Sequence, residues 1–238
     1  MEAHERYSGG WMWRFGIVLG LVVSSCAAEQ GAGGPGMAGD ALARAVAPRP
    51  TEPSYPLDRL RRSSGARAAS CPKLELRKFR GDQLQFLPAA RVVEPFRKRL
   101  LELERVVREV SLRVYSRPPS AVLVAASYGC RSVRGKQRRL SEHALGNAID
   151  IAGFRFPPLP SSKAAGVPPA LALGFDVRVD QDWRARGTAL RRRHSRFLHE
   201  LTAALLRRDT FRTLLGPAHR DHGDHFHFDM APEHYVDL

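Results

Sequence analysis

The sequence predicts an α+β domain in which a small antiparallel sheet is flanked by helices. Two amphipathic helical patterns and four short strand-like segments are intermixed along residues 71–238, without a regular βαβ rhythm or an internal repeat. This irregular mixture favours an α+β arrangement. A chain of 238 residues is long enough for one such domain with extensions.

Two helices are predicted from apolar residues that recur at steps of three and four. In the first, over 92–110, the apolar positions are Val92, Phe96, Leu100, Leu103, Val107 and Val110. Pro95 is compatible only with the first turn of this helix. The second helix is predicted over 190–205, and the Gly-Pro pair at 216–217 follows its end.

Four strands are predicted from apolar or alternating segments. AVLVAA at 121–126 is apolar throughout, and AIDIAGFRF at 148–156 and LGFDVRV at 173–179 are also strand-like. The proline-rich segment 157–169 between the last two is predicted to be a surface loop, because proline cannot donate to a sheet. A final strand is predicted at 225–229, where phenylalanine alternates with histidine.

The first 26 residues have the layout of a secretory signal. An apolar run at 16–23 follows Arg14 and precedes Cys26, and it is too short to span a membrane. VSSC at 23–26 resembles a bacterial lipobox, in which the cysteine is lipidated. We therefore expect an exported, periplasmic lipoprotein that is anchored to the membrane through Cys26. A plain cleaved signal or a cytosolic apolar leader is the alternative.

Residues 27–70 are rich in Gly, Pro, Ala and Ser, which predicts a flexible tether before a domain that spans 71–238. The three cysteines form no CxxC pair, which excludes zinc fingers and thioredoxin-like redox motifs. If Cys26 carries lipid, Cys71 and Cys130 are the only intramolecular pair that an oxidising compartment allows. Two buried free thiols are the alternative.

The charge is strongly basic. Lys and Arg number 38 against 24 Asp and Glu, which gives a formal net charge of +14. Such a chain is attracted to polyanions, including nucleic acid, anionic lipid and acidic wall polymers. Arginine runs at 136–139 and 191–193 suggest nucleic acid, but export and the absence of interleaved stacking aromatics argue against it. We expect no nucleic-acid partner.

Histidines and carboxylates are concentrated in two segments. HRDHGDHFHFD at 219–229 contains four of the nine histidines, and on a strand His225 and His227 point to the same side. SEHALGNAID at 141–150 contains His143 and Asp150, with Gly146 allowing a tight bend between them. Three His and Asp ligands with one open position are the arrangement of a catalytic Zn²⁺. His143, Asp150 and His227 are therefore the predicted ligands.

Spacing alone leaves two alternatives open for these residues. The terminal histidines can form a solvated or adventitious metal-binding tract. Asp150 can instead pair with one of the many arginines.

Three motifs together closely resemble the bacterial extensin-like C-terminal domain family: YGCRS at 128–132, SEHALGNAID at 141–150 and HGDHFHFD at 222–229. That family is similar to the LAS-type zinc peptidases, which include lysostaphin-like enzymes, D-alanyl-D-alanine carboxypeptidases and penicillin-insensitive murein endopeptidase. The resemblance covers roughly residues 71–238. It implies a LAS peptidase-like fold and the same three zinc ligands as the spacing argument.

The resemblance also implies roles for the residues around the metal. His225 is expected to handle protons, and His222, which is expected beside it in the active site, is the alternative to Arg131 for stabilising the tetrahedral oxyanion. Arg131 is expected to steady a substrate carboxylate or the oxyanion, although a structural ion pair explains it equally well. Ser141 is expected either to hydrogen-bond substrate or to cap a loop. The ExxWH glutamate that serves as base in some carboxypeptidases is absent, so a histidine-based mechanism is implied.

These observations predict a monomeric zinc peptidase that hydrolyses amide bonds in the stem or cross-link peptides of peptidoglycan. The basic charge is consistent with an acidic wall environment. The alternative is a wall-binding module, with or without zinc, that holds peptide in the same groove without cutting it.

Overall fold

The longest strand of the fold has nine residues, Ala148–Phe156, and pairs with three other strands. The structure, a computed structural model, describes residues 70–238. The predicted signal segment 1–26, with Cys26, and the predicted tether up to residue 69 lie outside the described residues. The elements are β1 (Arg77–Phe79), β2 (Gln85–Leu87), β3 (Ala90–Val92), α1 (Glu94–Tyr115), β4 (Ala121–Ala126), β5 (Ser132–Val133), β6 (Lys136–Leu140), a 3₁₀ helix (Glu142–Leu145), β7 (Ala148–Phe156), α2 (Ser161–Ala164), α3 (Pro169–Ala172), β8 (Phe175–Arg178), α4 (Val179–Asp182), α5 (Ala189–Arg207), β9 (Thr213–Leu215), β10 (Phe226–Asp229) and β11 (Tyr235–Asp237).

The main sheet has seven strands in the order β11-β9-β10-β7-β4-β2, with β8 paired to β7. The α+β class is therefore confirmed, but the sheet is mixed rather than antiparallel throughout. β2 runs parallel to β4 and β11 runs parallel to β9. A parallel pair needs a crossover connection, and these connections contain α1 in the first case and β10 in the second. The pairs β1–β3 and β5–β6 form two small separate ladders.

The two predicted helices are confirmed and slightly longer than their patterns. α1 has Pro95 in its first turn and is followed by its C-terminal cap Ser116, whose φ of 58° is left-handed. Thr188 caps α5 by accepting a hydrogen bond from the Arg191 backbone N–H. No helix within residues 70–238 is long and apolar enough to cross a membrane.

Both long helices cover one face of the main sheet. The apolar residues of α1 and α5 that face inward, among them Leu100, Leu103 and Leu201, are fully buried. The rings of Phe154 on β7 and Phe197 on α5 pack edge to face with centroids 5.3 Å apart. The opposite face of the main sheet is therefore not covered by α1 or α5.

The predicted strands differ in how closely they match the structure. The segments 121–126 and 148–156 coincide with β4 and β7, whereas β8 covers only Phe175–Arg178 of the predicted 173–179. The predicted loop 157–169 contains α2 and the first residue of α3. Proline precedes each of these two four-residue helices, and its fixed φ suits a helix start.

A disulfide joins Cys71 to Cys130, as predicted, across a sequence separation of 59 residues. Closing a loop of that length in the unfolded chain is expected to stabilise the domain by roughly 2–4 kcal/mol. Urea unfolding with and without reductant measures this difference. The Cys71→Ser/Cys130→Ser variant serves as the control, because it should match the reduced protein and be insensitive to reductant. Equal stability of the oxidised and reduced proteins would contradict the prediction.

Candidate metal centre

Two antiparallel strands bring Asp150 and His227 together. In the β7–β10 pairing these two residues lie directly opposite each other, and His227 Nδ1 is 2.8 Å from Asp150 Oδ1. The neighbours Phe226 and Phe228 are fully buried on the helical side, where Phe226 packs edge to face against Trp183 and Phe228 stacks on Phe211. Because strand side chains alternate, Asp150 and His227 lie on the face that the long helices leave uncovered.

A β-bulge in β7 makes this arrangement compatible with the core. β4 pairs Val124 with Ile151 but Leu123 with Gly153, so β7 contains one extra residue at this point. The extra residue reverses the alternation. As a result, Phe154 packs against α5 although it is four residues from Asp150, which faces the other way.

The third residue comes from the 3₁₀ helix before β7. Ser141 Oγ caps that helix by accepting a hydrogen bond from the His143 backbone N–H at 3.3 Å. Gly146 ends it with a φ of 63°, and a Cβ at this position would lie 2.6 Å from Leu76 Cδ2. The bend at Gly146 lets the chain turn back, so that His143 Nε2 lies 3.1 Å from both Asp150 Oδ1 and His227 Nδ1.

The three ligand atoms fit a small tetrahedral cation. They belong to buried residues and form a triangle with sides of 2.8, 3.1 and 3.1 Å. Two ligands of a tetrahedral zinc ion, each about 2.0–2.1 Å from the metal, are about 3.3 Å apart. Shifts of a few tenths of an ångström, about the difference between these values, would accommodate zinc. Two imidazoles and one carboxylate are also ligands that zinc accepts.

Each imidazole has an outer partner that fixes which nitrogen faces the centre. His143 Nδ1 donates to the backbone carbonyl of Ser127, and His227 Nε2 donates to Asp229 Oδ2 at 2.8 Å. Asp229 Oδ1 accepts a hydrogen bond from the Ala231 backbone N–H. Metal-binding histidines almost always donate their second ring N–H to a carboxylate or a backbone carbonyl. Both histidines therefore have the environment of metal ligands.

These two outer partners were not among the residues predicted from the sequence. Asp229 follows His227 by two residues on the same strand, so the alternation that groups His225 with His227 also extends to Asp229. Nothing in the sequence distinguishes the Ser127 carbonyl from other backbone carbonyls.

The electrostatics of the cluster favour positive charge between two carboxylates. Burial raises the pKa of Asp150, but hydrogen bonds and charge from His143 and His227 outweigh this effect and lower that pKa below its usual value. Burial lowers the pKa of His227, yet hydrogen bonds to Asp150 and Asp229 raise it to about 9. Either a proton or a metal cation would supply this positive charge.

The other predicted site residues surround this triangle. His225 Nε2 is 3.9 Å from Asp150 Oδ1, and its Nδ1 is 2.7 Å from Asp224 Oδ1. Arg131 Nη2 is 3.8 Å from Asp150 Oδ2, and 56% of the Arg131 side chain is exposed. The ring centroid of His222 is 4.9 Å from that of His225. Arg131 is thus more exposed to solvent than His222 and His225.

The structure bears on two of the open alternatives. Arg131 lies within ion-pair reach of Asp150, yet its exposed guanidinium is also accessible to a ligand. Ser141 acts as the cap described above, so local structure already accounts for this serine. Its contact with substrate stays a prediction.

Comparison with known families adds one match. Residues 63–159 match the family model described as extensin-like protein C-terminus. The chain carries an extensin-like segment. This segment contains His143 and Asp150, whereas His227 lies outside it, so the candidate centre combines the extensin-like segment with residues that follow it. No curated protein and no solved structure shows significant similarity to the chain.

Replacing Asp229 with asparagine is expected to weaken zinc binding about 10–100-fold, because His227 would lose the carboxylate that orients its ring and raises its basicity. Competition with a chelating dye measures the affinity. Asp237→Asn is the matched control, because Asp237 Oδ2 accepts a hydrogen bond from His219 at 2.9 Å outside the triangle. Equal affinity in both variants would contradict the assigned role of Asp229.

Proposed function

We propose that the protein is a zinc-dependent peptidase that hydrolyses amide bonds in the stem or cross-link peptides of bacterial peptidoglycan. The observation that carries this proposal is the buried triangle of His143, Asp150 and His227, in which both imidazoles have the outer partners typical of metal ligands. The motifs resemble those of the LAS-type peptidases. This resemblance implies a LAS peptidase-like fold and supplies the proposed substrate class. We further propose an exported monomer that is held at the membrane by lipid on Cys26.

His143, Asp150 and His227 would hold the zinc ion. When bound, zinc would supply Lewis acidity toward a carbonyl and toward water. The three side chains are each at least nine-tenths buried, which excludes bulk water from their side of the centre. Substrate would therefore approach from the side of Arg131 and His225.

His225 is suited to move the proton. Its Nδ1 is held by Asp224 at 2.7 Å, which leaves Nε2 directed toward the centre. In amide hydrolysis Nε2 would accept a proton from the attacking water and deliver it to the leaving amine. Each turnover thus returns His225 to its starting form.

Arg131 is better suited than His222 to stabilise the oxyanion. His222 Nδ1 donates to the Arg220 carbonyl at 2.9 Å, and burial lowers the pKa of His222. Its neutral ring therefore presents Nε2 as an acceptor rather than a donor. Arg131 is always charged and has only donors, so it can bind either the oxyanion or a substrate carboxylate.

Incubation of the purified, zinc-loaded protein with muropeptides tests the proposal by mass spectrometry. The expected result is a set of new fragments that together contain one added water, lost after chelation and restored by zinc. Muropeptide binding without new fragments would overturn the peptidase proposal in favour of a wall-binding module.

A further inference from the structure

A basic hairpin borders the candidate metal centre. We use this name for residues 131–140, RSVRGKQRRL, which contain four arginines, one lysine and no acidic residue. β5 and β6 pair within this segment, and Gly135, with a φ of 76°, forms the turn between them. Five positive charges are thus concentrated on one short two-stranded element.

Three contacts fix the basic hairpin beside the centre. At its start, Arg131 Nη2 lies 3.8 Å from Asp150 Oδ2. Arg134 pairs with Asp221 at 2.6 Å, in the segment before β10. Arg139 pairs with Glu233 at 2.9 Å, in the segment after β10. The hairpin is therefore attached on both sides of the strand that carries His227.

Part of this positive charge is not neutralised. Lys136 and Arg138 are exposed and lie two residues apart on β6, so they share one side of the strand. Within residues 70–238 neither has an acidic partner. Asp150, the nearest carboxylate to Arg131, is already engaged by His143 and His227. Lys136 and Arg138 therefore leave the basic hairpin with an excess of exposed positive charge.

We propose that the basic hairpin binds a carboxylate of the substrate at a distance from the bond that is cut, so that the site selects acidic peptides. The inference rests on the proposed function and adds the element that recognises the substrate. Guanidinium and ammonium groups form charge-assisted hydrogen bonds with carboxylates, and cations at the rim of a site concentrate anionic ligands there. The exposed cations of α1 and α5 cannot take this role, because those helices cover the opposite face of the sheet.

The Lys136→Ala/Arg138→Ala variant tests this inference. Its matched control is Lys98→Ala/Arg207→Ala, which removes one exposed lysine from α1 and one exposed arginine from α5. All proteins are full-length and zinc-loaded and carry His225→Ala, so that the probe stays intact. Calorimetry then measures binding of a synthetic stem pentapeptide with free carboxylates, and of the same peptide with those carboxylates amidated.

The hairpin variant is expected to bind the acidic peptide about five- to tenfold more weakly, as removal of two exposed charge contacts implies. The control pair should bind it normally, and all proteins should bind the amidated peptide equally weakly. Added salt should reduce the difference, because the contacts are exposed. Unchanged affinity in the hairpin variant, or an equal loss in the control pair, would overturn the inference.

Two further outcomes separate this inference from its alternatives. Loss of binding to anionic phosphatidylglycerol vesicles with retained peptide affinity would assign the hairpin to a membrane surface and overturn the proposal. If the protein without His225→Ala leaves muropeptides uncut while carboxylate-dependent binding persists, the peptidase proposal fails. The hairpin would then be confirmed as the recognition element of a binding module.

Discussion

Alanine at His143 is expected to abolish stoichiometric zinc binding. His143 Nε2 is one corner of the triangle and lies 3.1 Å from both other ligand atoms. Its removal leaves two protein ligands, so the loss of affinity should exceed the roughly 10–100-fold that loss of an outer partner causes. Elemental analysis of the purified protein measures the zinc content, and a dye competition assay measures the affinity.

His234→Ala is the matched control for this substitution. His234 is exposed, and its Nε2 is 3.7 Å from Asp209 Oδ1, away from the triangle. Because His143 is buried, Asp150→Asn is a second test that preserves side-chain volume and should also remove zinc. Circular dichroism verifies the fold of each variant. Zinc contents equal to the control in both ligand variants would remove this triangle as a zinc site.

Alanine at His225 is expected to separate metal binding from catalysis. His225 Nε2 lies 3.9 Å from Asp150 Oδ1, outside the triangle but directed toward it. The zinc content should stay at the wild-type level, while kcat for muropeptide hydrolysis should fall about 10²–10⁴-fold, the usual contribution of a general acid–base group.

The measurement for His225 combines zinc analysis with the rate of fragment release in mass spectrometry. His234→Ala again controls for the loss of a histidine and should keep both values. An unchanged kcat would show that another group transfers the proton. Loss of zinc would instead place His225 among the ligands.

The parts of the fold that could be predicted are those with long, regular patterns. α1 and α5 bury their apolar positions along several turns, β4 is apolar over its six residues, and β7 is mostly apolar over nine residues that include Asp150 and Arg155. The strands β1, β2, β3, β5, β9 and β11 have only two or three residues each, which is too short for an alternation to be recognised. Their presence depends on pairing with distant segments, and the parallel edge strands β2 and β11 were missed for this reason.

The candidate site also has a part that the sequence predicts from local spacing and a part that depends on pairing between distant segments. His143 and Asp150 are close in sequence, and a 3₁₀ helix with Gly146 at its end is enough to bring them together. His227 is 84 residues from His143, and only the β7–β10 register places it opposite Asp150. The spacing of residues can suggest such a meeting but cannot determine a register between distant strands. The bulge that turns Phe154 away from Asp150 likewise depends on the pairing with β4.

The Cys71–Cys130 disulfide makes the order of the candidate site depend on oxidation of the chain. Cys130 lies in the short segment that also presents the Ser127 carbonyl to His143 and carries Arg131. A newly synthesised chain in a reducing cytoplasm lacks this cross-link, so the segment around the centre is held less firmly there. If the protein is exported as proposed, this part of the centre would therefore become fully held only after oxidation outside the cytoplasm.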